Sequence, residues 1–160
     1  MRSKGVLGWR EWVALPELGV EQVKAKLDTG ARSSALHAYD IERLEGPSGR
    51  RVRFKIHPQQ RSTAVTVEAE APLLEDRWIT SSNGHRSRRP VILTTVELGG
   101  TRWPIELTLT ARDEMGFRML LGRQALRGHF VVDPSRSHLA GKGWVLPGTE
   151  RPKKRKGGTS

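Results

Sequence analysis

The chain has 160 residues, of which 36% are hydrophobic and 28% are charged, and it contains no cysteine. This length and composition predict one globular domain with its own core, and the lack of cysteine excludes disulfides, thiolate metal sites and cysteine nucleophiles. The formal net charge is +11, and five of the positive charges fall in residues 151–156. We expect residues 1–149 to form the domain and residues 150–160 to be a disordered basic tail, because that stretch has nothing apolar to pack.

The basic tail favours contact with RNA, ribosomes or acidic proteins by releasing counterions, although a tail that only keeps the protein soluble fits equally well. No stretch near the N-terminus has the apolar length of a signal peptide or a membrane span. We therefore expect a cytoplasmic protein without a membrane partner.

The first half of the chain is typical of short strands separated by turn residues. Residues 8–15 predict a first strand, and in residues 20–27 the apolar positions alternate with charged ones, as in a half-buried strand. Further strands are predicted at residues 39–44, 51–56 and 64–69.

The second half predicts hairpins and one small helix. Residues 78–94 favour a hairpin with its tip at Asn83-Gly84, and residues 96–105 favour another around Gly99-Gly100. Met119–Gly122 predicts a buried strand, residues 124–127 a short helix, and residues 130–133 with 137–139 a late hairpin. Many short strands without βαβ alternation predict an all-β, closed or semi-closed barrel with one short C-terminal helix.

The most informative stretch is Asp28-Thr29-Gly30, where a predicted strand ends on a carboxylate. The Thr29 hydroxyl can tie down a neighbouring backbone group, and Gly30 lets the chain turn sharply. An Asp-x-Gly turn after a strand is common, so the tripeptide alone predicts only a turn. Residues 119–126 form a downstream block, an apolar strand that ends in glycine before a short helix. This block and the tripeptide together are more informative than the tripeptide alone.

Together these stretches resemble the retropepsin-like bacterial family of aspartic peptidases that is also labelled ATP-dependent zinc protease. The likeness extends from about residue 8 to about residue 139 and rests on residues 9–16, 24–38, 81–84, 89–92 and 119–126. The resemblance implies a retropepsin-like acid-protease barrel in which the hairpin at residues 78–94 is a flap over the substrate. The distance from Asp28 to Gly122 is longer than in viral retropepsins, which implies an inserted hairpin between residues 40 and 80.

The resemblance also implies the roles of individual residues in an aspartic endopeptidase. The catalytic residues would be Asp28, Thr29 and Gly30, and the substrate-binding residues would be Ala31, Arg32, Ser82, Asn83, Gly84 and Arg123. We further expect Arg32, Arg123 and the basic loop of residues 85–89 to favour acidic substrates.

The chemistry of an aspartic peptidase requires two carboxylates about 3 Å apart that share one proton and activate a water molecule. The chain holds a single Asp-Thr-Gly. We therefore expect a homodimer in which Asp28 of each subunit meets on the two-fold axis and hydrolyses peptide bonds of a protein or peptide substrate without a cofactor.

Two alternatives stay open at this point. His37, His57 and His85 could assemble a zinc site in space, although no histidine pair has the i, i+4 spacing of a zinc peptidase helix and no phosphate-binding loop for ATP is present. The chain could instead be a non-catalytic barrel that binds proteins. The family occurs near ATP-grasp ligases that add glutamates to a ribosomal protein, so the resemblance implies a ligase or ribosome-associated partner. An intact Asp28-Thr29-Gly30 favours an active enzyme.

Overall fold

A computed structural model describes residues 5–58, 65–80, 84–111 and 117–140. These residues form eleven strands and one short helix: β1 (Gly5–Gly8), β2 (Arg10–Leu15), β3 (Val20–Asp28), β4 (Ser34–His37), β5 (Tyr39–Gly46), β6 (Gly49–Ile56), β7 (Val67–Thr80), β8 (Arg86–Leu98), β9 (Thr101–Thr110), β10 (Met119–Gly122), α1 (Arg123–Leu126) and β11 (Phe130–Asp133). The predicted tail, residues 150–160, lies outside the described ranges. No described helix has the length and apolar character needed to cross a bilayer.

Six strands close into a barrel in the order β2-β3-β10-β4-β9-β8, and β8 returns to β2 through the pair Ala14 and Glu97. The turn between β2 and β3 is a short 3-10 segment, Pro16–Leu18, and those two strands are antiparallel. Two pairings are parallel: β10 with β3, and β4 with β9. The prediction of an all-β barrel with one short C-terminal helix is confirmed.

Alternation along the strands explains the barrel core. In β3, Val23, Ala25 and Leu27 are buried while the charged residues between them are partly exposed. Successive side chains of a strand point to opposite faces, so one face of β3 lies inside the barrel and the other carries Lys24, Lys26 and Asp28. The second face therefore presents two cations on the strand that leads to Asp28.

Strands β7 and β8 are 14 and 13 residues long, and they extend the sheet beyond the barrel. The β5–β6 hairpin pairs with β7 and lies in the range where the sequence predicts an insertion. One face of this extension carries exposed ion pairs, while Val52, Phe54 and Ile56 join the barrel core from the other face. We define the extension as β5, β6 and the first half of β7.

The last strand corrects one sequence prediction. Residues 130–133 do form a strand, but β11 pairs in parallel with β1, from Gly5 opposite Phe130 to Gly8 opposite Asp133. It forms no hairpin with residues 137–139, because the Asp133 carboxylate accepts hydrogen bonds from the Ser135 backbone and hydroxyl and turns the chain. The predicted first strand is likewise divided into β1 and β2 at Trp9.

Residues 136–140 cross the start of β2 as a strap that is held by a buried carboxylate. Glu11 is fully buried and accepts hydrogen bonds from the backbone amides of Gly8 at 2.7 Å, Leu139 at 2.8 Å and Ala140 at 3.1 Å. A side chain at position 8 would lie 2.3 Å from the Arg136 carbonyl oxygen, so the strap can approach only a glycine. The strap fixes β1 and β2 relative to β11.

Candidate functional site

The Asp28 loop, which we define as residues 28–34, begins where β3 ends. Asp28 is half-buried, and its Oδ1 accepts a hydrogen bond of 2.9 Å from the Gly30 amide, while its carbonyl accepts one of 3.1 Å from Ala31. A Cβ at position 30 would lie 3.2 Å from Asp28 Oδ1, which makes glycine the residue that fits this turn best. The carboxylate is thus presented by a tight turn that its own oxygen stabilises.

The block after β10 packs beneath the Asp28 loop. Gly122 lies opposite Asp28 in the parallel register, and its amide donates to the Ser34 hydroxyl at 3.0 Å. A Cβ on Gly122 would come within 2.5 Å of the Ser33 carbonyl oxygen and 2.9 Å of that of Ala31. Only a glycine permits the loop to lie this close to β10.

Helix α1 adds three more hydrogen bonds to the same loop. The Arg123 amide donates to the Ala31 carbonyl at 2.8 Å, the Gln124 amide to that of Arg32 at 3.2 Å, and Arg123 Nη1 to that of Gly30 at 3.3 Å. The helix is in turn anchored to β9, where Trp103 Nε1 donates to the Ala125 carbonyl at 2.8 Å. The structure therefore brings Arg123 together with the predicted site residues 28–32.

Cations surround the exposed side of this loop. Arg32 and Arg123 are exposed, and Lys26 shares the Asp28 face of β3 with Arg10 directly opposite it on β2. Lys24 lies two pairs further along, opposite Trp12, with its Nζ 5.0 Å from the centre of the Trp12 ring. The alternation of Lys24, Lys26 and Asp28 is visible in the sequence, yet the sequence prediction did not use it as part of the site.

A cavity of about 380 Å³ opens beside the loop. Its lining comes from the loop, β7, β9 and the α1 region: Ser33, Ser34, Arg77, Pro104, Ile105, Glu106, Thr108, Gln124, Ala125 and Arg127. Most of these residues were missed from the sequence, because no local pattern shows that β7 and α1 come together.

Arg77 is the cation that β7 contributes to this cavity. Its guanidinium donates to Glu75 at 2.6 Å and to Glu106 at 3.1 Å. Burial lowers the pKa of Arg77, but the hydrogen bonds to Glu75 and Glu106 outweigh burial and raise that pKa above its ordinary value. Arg77 therefore stays cationic, and its two carboxylate partners hold it in place.

Other predicted site residues lie elsewhere or outside the described residues. Ser82 and Asn83 lie outside them, whereas Gly84 is exposed just before β8 with a φ of 84°, the positive value expected at an Asn-Gly turn. The predicted hairpin itself exists, because β7 and β8 pair from Leu73 with Ile92 to Thr80 with Arg86.

The histidine alternative is wrong for the described part of the chain, which contains no group of three or more His, Asp or Glu able to hold a metal ion. His37 ends β4 with its Nδ1 3.4 Å from an Arg118 nitrogen, and His57 follows β6 and stacks on Tyr39 with ring centres 4.6 Å apart. His85 is exposed before β8. The three side chains lie in or beside different strands, β4, β6 and β8.

Comparison with known proteins gives relatives whose names point to ligation. The chain is 44% identical over 141 residues to a protein of Parasynechococcus marenigrum named "Probable alpha-L-glutamate ligase", and 44% identical over 140 residues to a Shewanella pealeana protein of the same name. Each match covers 88% of this chain but only 30% and 31% of the respective relative. The chain therefore spans about a third of the length of the curated relatives it matches.

These names overturn the predicted function. We predicted peptide-bond hydrolysis by two Asp28 carboxylates, but these curated relatives are named as glutamate ligases and not as peptidases. The prediction of a dyad peptidase is therefore corrected. None of these names carries the zinc or ATP part of the family label either.

A solved structure has a similar fold, and a family model matches most of the sequence of this chain. The crystal structure of protein Lpg0085 from Legionella pneumophila, of unknown function, superposes with a TM-score of 0.70 at 27% identity, over 86% of this chain and 99% of that one. A family described as "Retropepsin-like aspartic endopeptidase RimB" matches residues 6–143. With this match over most of the domain, and with Asp28, Gly122 and α1 arranged as described, the chain belongs to the RimB-like family of retropepsin-like proteins.

Proposed function

We propose that this barrel is a protein-binding domain that works with an alpha-L-glutamate ligase and binds the acidic polypeptide on which that ligase acts. The observation that carries the proposal is the partial match: 88% of this chain corresponds to about 30% of a protein named as a glutamate ligase. A separate part of such a protein would then perform the ligation, while the barrel holds the polypeptide.

The charges around the Asp28 loop support an acidic ligand. Arg32 and Arg123 supply two exposed cations in and against the loop, and Lys26 and Arg10 lie opposite each other on the strands that lead to it. A polypeptide that has received glutamates carries one added carboxylate per residue. Arginine binds carboxylates well, because its planar guanidinium can donate two parallel hydrogen bonds to one carboxylate.

The cavity beside the loop supports a bound side chain. Its volume of about 380 Å³ is enough for one or two residues, and Gln124 and Arg127 provide donors at its rim. Ser33 belongs to both the loop and the cavity lining, so a chain that crosses the loop would reach the cavity. Polar groups in such a place select one orientation of the ligand.

We also propose a homodimer, but one joined through the β1–β11 pair; the sequence prediction joined the subunits at Asp28. Val6 and Val131 are register partners in the β1–β11 pair, and 51% and 47% of their surfaces are exposed. We expect Val131→Arg to lower the sedimentation coefficient of the protein if this sheet joins two subunits. An identical monomer mass for the wild type and the variant at every concentration would contradict the dimer.

The decisive experiment measures binding of a labelled oligoglutamate peptide by fluorescence anisotropy, with oligoglutamine of equal length as the neutral comparison. We expect oligoglutamate to bind at least about tenfold more tightly, and Arg32→Gln and Arg123→Gln each to weaken its binding by about three- to tenfold. Mass spectrometry of the recovered peptide separates binding from turnover.

Two further variants sharpen the test. Arg136→Gln removes an exposed cation from the turn after β11 and should leave the affinity unchanged. Asp28→Asn removes the negative charge while keeping an oxygen for the Gly30 amide, so oligoglutamate should bind as tightly or more tightly. Equal binding of both peptides by the wild type would refute an acidic ligand.

A further inference from the structure

Trp78 is the most exposed large hydrophobic residue among those described, with 59% of its surface accessible. It lies near the end of β7, where its neighbour Arg77 lines the cavity. Adjacent residues of a strand point to opposite faces. Trp78 is therefore on the face of the β7–β8 hairpin that turns away from the cavity and from the proposed polypeptide site.

Arginines surround Trp78 on this outer face. The Arg86 guanidinium lies 4.8 Å from the centre of the Trp78 ring, and Arg88 is directly opposite Trp78 in the register, with 63% of its side chain exposed. Arg43 of the β5–β6 hairpin reaches the same face and binds Asp76. We call Trp78, Arg43, Arg86 and Arg88 the outer patch.

The outer patch keeps a net positive charge. Asp76 contacts both Arg43 and Arg88, and only 7% of its side chain is exposed, so one carboxylate is shared by several cations. The hydrogen bond from Arg43 lowers the pKa of Asp76, and nearby Arg88 and Arg50 lower it further against the effect of burial. Asp76 thus orients the guanidiniums and does not neutralise all of them.

We infer that the outer patch binds single-stranded RNA, with a base stacked on Trp78 and phosphates held by Arg43, Arg86 and Arg88. An acidic peptide would use the guanidiniums but has no use for an exposed indole, whereas an unpaired base stacks on an aromatic ring. Arg86 lies over one face of that ring, so a base stacked on the other face would have a cation next to its phosphate. This inference is independent of the proposed polypeptide site, because it uses the opposite face of the hairpin.

The test titrates the full chain into fluorescein-labelled oligouridylate and follows anisotropy at several salt concentrations. We expect Trp78→Leu to weaken binding about tenfold and Trp78→Phe, which keeps a ring, about two- to threefold. Arg88→Gln should reduce the slope of log affinity against log salt by about 0.7, the value for one phosphate contact on a single strand. The tryptophan fluorescence of the wild type should fall on binding, and most of that fall should disappear in Trp78→Leu.

The basic tail also attracts RNA, so matched variants identify the patch. Arg136→Gln removes an exposed cation elsewhere and should leave the affinity for oligouridylate, the salt slope and the quenching close to those of the wild type. Unchanged affinity and unchanged quenching in Trp78→Leu would overturn the inference. Displacement of the RNA by oligoglutamate, with the same dependence on Arg88, would also overturn it and make the patch a surface for acidic polypeptides.

Discussion

The closed barrel and the β5–β7 extension share one apolar core but use their polar groups in opposite ways. In the barrel, key polar groups are buried and bonded to backbone, as Glu11 is to three amides and Ser34 is to Gly122. In the extension they are exposed ion pairs, such as Arg51 with Glu70 at 2.6 Å and Lys55 with Asp40 at 3.3 Å. When a buried hydrogen bond is lost, the remaining group has no water to bond to. When an exposed ion pair is lost, water solvates the remaining charge. The position of the Asp28 loop should therefore depend on few residues, and the charge of the extension should be free to vary.

The largest effect should follow from removing the buried carboxylate of the barrel. Glu11→Ala leaves the amides of Gly8, Leu139 and Ala140 without their acceptor, and we expect a loss of about 3 kcal/mol of unfolding free energy. Urea denaturation measures it. Glu21→Ala removes an exposed carboxylate from β3 and should change stability by less than about 0.5 kcal/mol. Equal effects of the two changes would contradict the role given to Glu11.

We expect the next largest loss of stability from Gly122→Ala, with Gly46→Ala as its control. Gly122→Ala places a Cβ 2.5 Å from the Ser33 carbonyl oxygen, whereas Gly46→Ala in the extension meets its nearest neighbour, the Gly49 carbonyl oxygen, at 3.8 Å. We expect a loss of about 2 kcal/mol for Gly122→Ala and about 0.5 kcal/mol or less for Gly46→Ala. Gly122→Ala should also weaken oligoglutamate binding, because it displaces the Asp28 loop. Unchanged binding in a folded variant would contradict the link between loop and ligand.

Asp76 is an intermediate case, because it lies in the second half of β7 and pairs with Arg43 of the extension, yet its side chain is buried like the polar groups of the barrel. Its pKa is lowered in the folded protein by Arg43, so its charge stabilises the fold above the unfolded value of about 3.9, and that stability is lost as the pH falls through the lower folded pKa. We expect Asp76→Asn to cost about 1–2 kcal/mol at pH 7. In urea titrations from pH 7 to 3, the difference from the wild type should shrink below about pH 4. If the difference in unfolding free energy stayed constant with pH, the Asp76 charge would not be the cause of the stabilisation.

The smallest effect should come from an exposed pair of the extension. Both partners of the Arg51 and Glu70 pair are more than a third exposed. Glu70→Gln should therefore change the unfolding free energy by less than about 0.5 kcal/mol, and by nothing measurable in 1 M salt. A loss similar to that of Asp76→Asn, still present at high salt, would show that the extension depends on its ion pairs.

The features that the sequence predicts well are local ones. The strand that ends at Asp28 is visible in the alternation of Val23, Ala25 and Leu27, and the β10–α1 block in an apolar run that stops at Gly122. Turn residues likewise mark the β2–β3 and β8–β9 connections. Each of these elements follows from neighbours within a few residues, so no knowledge of the fold is needed.

The features that the sequence does not predict depend on distant partners. Arg77 meets Glu106 across 29 residues and Arg43 meets Asp76 across 33, so neither the cavity nor the outer patch has a local pattern. The prediction of a hairpin between residues 130–133 and 137–139 is wrong for the same reason. The partner of β11 is β1, near the other end of the described chain. The predicted chemistry failed for a different reason: a single Asp-Thr-Gly is compatible with an enzyme and with a binding domain of the same architecture.

The parallel pairing of β1 with β11 also has a consequence for gene fusion. It lays the first described strand beside the last one, from Gly5 next to Phe130 to Gly8 next to Asp133. A unit whose two ends are neighbours can be joined to another domain through a single short connection without straining its interior. A unit closed in this way can be connected to further residues without any change to its hydrogen-bonded ring of strands.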